Sequence, residues 1–140
     1  QFGSAYSQPI TTFTVGQLNS AINTFLFDNN SGASRILIND NSNFTISAGT
    51  GINATGGIID QQVLYTALFN GASSLGRQNA VQKMTGNAGT NGCDGFTLGN
   101  IVVSGRAGDY IQEHIFFESD ESSNFTAIET DVNDFYGIYP

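Results

Sequence analysis

The stretch DYIQEHIFFES, residues 109 to 119, carries the single histidine of the chain and a carboxylate set among apolar neighbours. Strand alternation places Tyr110, Gln112, His114 and Phe116 on one face and Ile111, Glu113, Ile115 and Phe117 on the other. A carboxyl flanked by apolar side chains loses solvation, which raises its pKa toward the range a general acid or base needs, and Glu113 fits that description. His114 and Tyr110, with Asp109 beside them, can line a pocket on the opposite face. The catalytic candidates are therefore Asp109, Tyr110, Glu113 and His114. Glu113 and His114 do not easily act together, because adjacent strand residues point apart. The plainer reading is a satisfied surface histidine and a rim glutamate. A nucleophilic triad is disfavoured, since there is no G-x-S-x-G and only one imidazole to serve as base.

Hard oxygen ligands gather in DNNSG, NDNSN, ESDESSN and ETDVND, and calcium prefers such ligands. None completes an EF-hand loop, because the segment from Asp28 to Gly32 lacks both the spacing and the distal Glu. The calcium candidates are Glu118, Asp120, Glu121, Asp131 and Asp134. No other cofactor is expected. One Cys, Cys93, and one His fall short of the four ligands of a structural zinc site, and a lone Cys makes no intramolecular disulfide. Cys93 reads as a small buried hydrophobe in a Gly-rich turn. GTGINATGG lacks the phosphate-binding glycine spacing and a following Lys. Four N-x-S/T sequons, at Asn29, Asn43, Asn53 and Asn124, are candidate glycan acceptors, which requires them to be exposed. SNFT occurs twice, at residues 42 to 45 and 123 to 126. It reads as two strand starts that converge, each with Asn outward and Phe inward.

The 140 residues are long enough for one domain with one core. Only 11% are charged, against about 25% in ordinary soluble domains, and Asn, Ser, Thr and Gly fill the polar surface instead. Of twelve acids, four lie before residue 107 and balance all four cations, Arg35, Arg77, Lys83 and Arg106. The remaining eight, from Asp109 onward, therefore make up the whole net charge of -8. That distribution argues against nucleic acid and anionic membranes, which call for clustered Lys and Arg. No apolar run approaches the 18 residues of a membrane span. A start at Gln1 fits removal of a leader peptide or trimming of a longer chain.

The elements that must position these residues read as follows. TVGQLNSAINTFLFD predicts a helix over 15 to 28. Thr14 and Gln17 form a capping box, Phe13 and Leu18 a staple, and Val15, Leu18, Ile22, Phe25 and Leu26 a buried stripe. Asp60 and Ser74 cap two shorter helices, DQQVLYTALFNG and LGRQNAVQKMTG. PITTFT, with Pro9, reads as an edge strand, RILIND as a buried strand and NFTIS as a half-exposed one. FTLGNIVVSG, DYIQEHIFFES and SNFTAIETDV read as an antiparallel meander. The fold class expected is α+β, a mainly antiparallel twisted sheet packed on one long N-terminal helix with two shorter helices. The element order is similar to that of cone-shaped α+β folds, with no family motif to carry residues across.

For function, sparse catalytic equipment and β-prone chain ends, QPITTFT and NDFYGIYP, predict a non-enzymatic, secreted or surface-exposed structural or interaction subunit. It would self-associate through terminal strands or bind another surface protein, as in a filament, a surface layer or a virion. The alternative is a secreted ligand-binding domain or enzyme with a pocket between the C-terminal meander and the helices. Neither reading involves nucleic acid or membrane insertion.

Overall fold

A computed structural model describes residues 4–19, 24–29, 35–39, 43–99 and 110–140. Among the described residues, ten strands form two antiparallel sheets of five. In chain order they are β1 (Ile10–Gln17), β2 (Thr24–Asp28), β3 (Arg35–Asn39), β4 (Asn43–Ser47), β5 (Gly51–Ala54), β6 (Gln62–Phe69), β7 (Ser74–Gln78), β8 (Val81–Gly86), β9 (Thr97–Leu98) and β10 (Tyr110–Phe117). One sheet runs β10-β1-β6-β7-β8 and the other β5-β4-β3-β2-β9. Helix α1 (Phe125–Tyr136) is the sole α-helix among the described residues.

The α+β expectation is therefore corrected to a two-sheet sandwich with one C-terminal helix. The region expected to be a helix over 15 to 28 contains the end of β1 and all of β2. Ile10, Thr11, Thr12, Phe13, Thr14 and Val15 are β-branched or aromatic, and this run prevails over the capping-box spacing that follows it. Nor is β1 an edge strand. It lies between β10 and β6, and its neighbours cover it in antiparallel register from Phe13↔Ile115 on one side to Phe13↔Thr66 on the other.

The two shorter helices are corrected too. DQQVLYTALFNG contains β6, whose apolar positions mimic helical spacing because both of its faces are buried. Val63, Tyr65, Ala67 and Phe69 join the core between the sheets, while Leu64 and Leu68 join a second core beneath α1. LGRQNAVQKMTG is the hairpin β7–β8. Asn79 and Ala80, at φ 49° and 61°, make its two-residue turn, the type I′ geometry that matches strand twist. The Asn79 side chain fastens that turn by accepting the Leu64 N–H at 3.0 Å.

NFTIS and RILIN are strands as expected. Of FTLGNIVVSG, only Thr97–Leu98 is described as strand; residues 100 to 109 lie outside the described residues. The third meander member is a helix. Phe125, Ile128, Val132 and Tyr136 recur at three- and four-residue spacing and lay one stripe against Phe13, Val15, Leu64 and Leu68. Gly137, left-handed at φ 63°, ends α1 by donating its N–H to the Asn133 carbonyl at 2.7 Å. The two SNFT copies thus lie in different structures, the first entering β4 and the second entering α1.

The core between the sheets is built from rings. Phe44 of one sheet packs on Tyr65 of the other with centroids 5.6 Å apart, and Phe27 meets Phe69 at 6.4 Å. Cys93 is fully buried beside Tyr6, with its Sγ 3.0 Å from the Gly95 carbonyl, and burial raises its thiol pKa.

Candidate functional site

The arrangement around β10 is set by a bulge. Val15 pairs with Glu113 and Gly16 with Ile111, so Gln112 is an extra residue on β10. Gly16 permits this close approach, since a Cβ there would meet the Tyr110 carbonyl at 2.8 Å. The extra residue reverses the alternation beyond it. Ile111 packs on the core between the sheets, and Tyr110, opposite Gln17, shares the helix-side face of Glu113. The expected grouping of Tyr110 with His114 is thereby corrected. Tyr110 is 67% exposed, and Asp109 lies outside the described residues.

His114 points into the sandwich. Its ring stacks on Phe27 at 5.2 Å and 16°, and Phe96 flanks it at 5.4 Å. Nδ1 lies 2.8 Å from the Thr14 hydroxyl, while Nε2 is buried with no hydrogen-bond partner among the described residues. Burial lowers the imidazole pKa from 6.5 to about 4, the direction expected when a charged form loses its water. His114 is thus a half-buried, neutral residue on the inner face of the sheet rather than a pocket base.

Glu113 does line a concavity. A cleft of about 350 Å³ between β10 and α1 is walled by Glu113, Asp131, Val132, Phe135 and Tyr136. The strand supplies one carboxylate and the helix the other. Val132, only 7% exposed, forms an apolar floor, whereas Phe135 is 81% exposed and meets the Tyr136 ring edge-on at 4.8 Å. The Tyr136 phenol pKa is raised, first by burial and then by the charge and hydrogen bond of Glu113. Asp131 and Phe135 stand at i and i+4, so both present to the same side of α1.

A buried ion pair fixes the helix that forms this wall. Glu129, 1% exposed, receives Arg77 Nε and Nη2 at 2.9 Å each, and the Thr66 hydroxyl donates to the same carboxylate at 2.7 Å. The Arg77 guanidinium lies 5.4 Å from the centre of the Phe125 ring. Arg77 and Glu129 also line a second recess of about 450 Å³ with Tyr139 and Pro140. The Tyr139 hydroxyl donates to the Glu129 carbonyl at 3.1 Å, and Asn133 accepts the Ile138 and Tyr139 N–H groups at 2.9 Å. Charge and aromatic contact are satisfied within the chain there, so this recess reads as the anchor of α1.

The five calcium candidates are not gathered. Glu118, Asp120 and Glu121 precede α1 and Asp131 and Asp134 lie along it. Among the described residues no three His, Cys, Asp or Glu side chains form a metal-binding group. Asp120 accepts the Ser122 N–H at 2.9 Å and the Asn70 amide at 3.2 Å, and its pKa is lowered mainly by Ser122. Glu121 accepts from the Ser119 hydroxyl and from the Asn124 amide, and those bonds lower its pKa in that order. These carboxylates tie the loop entering α1.

The sequons separate by burial. Asn53 and Asn124 are exposed, and Asn43 is half-buried at the start of β4. Asn29 is fully buried and donates its amide to the Gly92 carbonyl at 3.1 Å, so this fold leaves no room for a glycan there, a correction to the expectation of exposure. Asp131 was expected only as a calcium ligand, and its place beside Phe135 on the α1 wall was not expected because its segment reads as a strand. The spacing of Phe125, Ile128, Val132 and Tyr136 before Gly137 was the signal that could have placed it.

No protein-family model matches the chain, and no curated protein matches it. Solved structures do resemble it in fold. A Trypanosoma rangeli sialidase in complex with sialic acid aligns over 89% of this chain at a TM-score of 0.64 and 10% identity. Domains LG4-5 of the mouse laminin alpha1 chain align over 85% at a TM-score of 0.55 and 12% identity. The chain spans 23% of the sialidase and 41% of the laminin fragment. At such identities the likeness is one of fold, and it agrees with the antiparallel β-sheet architecture. No helix among the described residues is long and apolar enough to cross a membrane.

Proposed function

We propose that this chain is a non-catalytic recognition module of a secreted or surface-exposed protein, and that it binds through the helix-covered face of the β10 sheet. The observation that carries the reading is the cleft between β10 and α1, where Phe135 stands 81% exposed beside a buried apolar floor. An exposed aromatic over a formed concavity is a feature of binding sites. His114, the single imidazole, faces the other side of the sheet among aromatic rings, so no imidazole base stands beside Glu113 in the cleft.

The secreted or surface setting draws support from the sparsely charged surface, from the exposed sequons at Asn53 and Asn124, and from the fold shared with laminin LG domains. The sialidase neighbour was solved with sialic acid. An acidic sugar does not suit this cleft, because Glu113 and Asp131 would repel its carboxylate. Strand donation from the chain ends also loses support. β1 is held between two strands, and the C-terminal segment is committed to α1.

The test is binding of the labelled chain to arrays of extracellular peptides and glycans, wild type against Phe135→Ser. Binding that the substitution removes supports the module. Binding indifferent to Phe135, or turnover of glycoside, ester or peptide substrates by the wild type, overturns it.

A further inference from the structure

Helix α1 carries two pairings of an aromatic ring with a carboxylate at i and i+4, Phe125 with Glu129 and Asp131 with Phe135. The first holds a guanidinium of the chain itself. Arg77 lies over the Phe125 ring and bonds both oxygens of Glu129. The second faces the cleft, where Glu113 adds another carboxylate from β10 and no Lys or Arg is among the lining residues.

From this internal precedent we propose that the cleft binds an arginine side chain presented by a partner protein, a ligand class that rests on the recognition-module reading above. The Phe135 face receives the guanidinium plane, Glu113 and Asp131 accept its N–H groups from opposite walls, and Val132 meets the aliphatic stem. Charge complementarity selects this occupant. The unbalanced acids of the chain all lie beyond residue 106, and the net charge of -8 steers a basic segment toward this end. A calcium ion is less suited, since two carboxylates and two aromatic rings fall short of the six to eight oxygens it takes. A volume of about 350 Å³ lies near the lower bound of small-ligand pockets, roughly 300 Å³, which suits one side chain better than a whole metabolite.

The experiment titrates the chain with N-acetyl-Gly-Arg-Gly-amide and with its citrulline analogue, which keeps the shape and loses the charge, while following backbone amide shifts. The expected result is saturable shifts confined to Glu113 and to the stretch from Asp131 to Tyr136, with binding about tenfold weaker for citrulline and for Glu113→Gln/Asp131→Asn. Asp134→Asn, outside the cleft, leaves binding unchanged. Equal binding of the two peptides overturns the proposal, as do shifts spread over Glu118, Glu121 and Asp134 or a double variant that binds like wild type. If array ligands remain sensitive to Phe135→Ser while the arginine peptide fails, the recognition module stands and the arginine specificity falls.

Discussion

Lowering the pH from neutral toward 4 should destabilise this fold through a single group. His114 titrates near 6.5 in the unfolded chain, but its burial against Phe27 and Phe96 brings the folded value to about 4. Folding therefore weakens proton binding, the unfolded state takes up the proton first as pH falls, and stability drops through the interval between those two values. Each pKa unit is worth about 1.4 kcal/mol, so the loss reaches about 2 kcal/mol by pH 5 and about 3 kcal/mol by pH 4. The contribution is complete above pH 6.5 and fades below it. Asp120 and Glu121, whose pKa values are lowered, lose their folded-state advantage only below the ordinary carboxylate range, which leaves the upper part of the interval to the imidazole.

Two measurements check this. Urea denaturation at stepwise pH, on wild type and His114→Gln, should give a difference in stability that grows as pH falls, because the amide does not titrate. With only one histidine in the chain, its imidazole proton resonances can also be followed in the folded wild type without assignment ambiguity. A folded-state titration midpoint near 6.5, or wild-type and variant curves that stay parallel across the interval, would refute the idea that burial lowers this imidazole's pKa. The resonance titration needs no variant to fold.

Three further outcomes follow from the geometry. Glu129→Met should cost about 3 kcal/mol, because it leaves Arg77 partly buried without its carboxylate. Arg77→Met/Glu129→Met should cost less than the single change, as chemical denaturation of the full cycle would read. Ala80→Gly should stabilise by about 1 kcal/mol, since Ala80 holds the left-handed conformation at φ 61° and glycine adopts it without Cβ strain, a gain visible as a higher urea midpoint. Gly89→Ala should cost about 3 kcal/mol or more, because its Cβ would sit 2.1 Å from the Ala48 carbonyl oxygen. Gly56→Ala, at φ 82° with open space around it, should cost only the conformational strain of about 1 to 2 kcal/mol, so comparable losses would contradict the packing described.

The strands that were legible in the sequence are those with one periodicity to read. NFTIS alternates, and Ile46 and Phe44 are indeed buried in β4. β6 was illegible as a strand because a strand covered on both faces loses its alternation, and VLYTALF then satisfies helical spacing as well as any amphipathic helix does. The β7–β8 turn was hidden for a local reason. Asn-Ala does not announce a two-residue hairpin as Asn-Gly does, and Ala80 is held in its conformation by the pairing on either side of it. The short segment TAIETDV in α1 alternates well enough to pass for a strand. Only when the window extends to Tyr136 and Gly137 does the helical stripe outweigh it.

The candidate site was half legible for a related reason. Glu113 announced itself as a carboxylate among apolar side chains, and it reaches the cleft. Its expected companions did not follow, because one inserted residue, Gln112, turns Tyr110 over while leaving His114 on the inner face. A bulge of this kind is permitted by its partner strand, through the missing Cβ of Gly16, which lies 96 residues before Gln112 in the chain. Periodicity within β10 alone holds no trace of it. Asp131 was expected to be a calcium ligand for its oxygen chemistry, and that chemistry also suits the proposed arginine site. Its neighbour went unread with the helix, since only the helical turn between Asp131 and Phe135 joins the carboxylate to the ring on which the proposed arginine site rests.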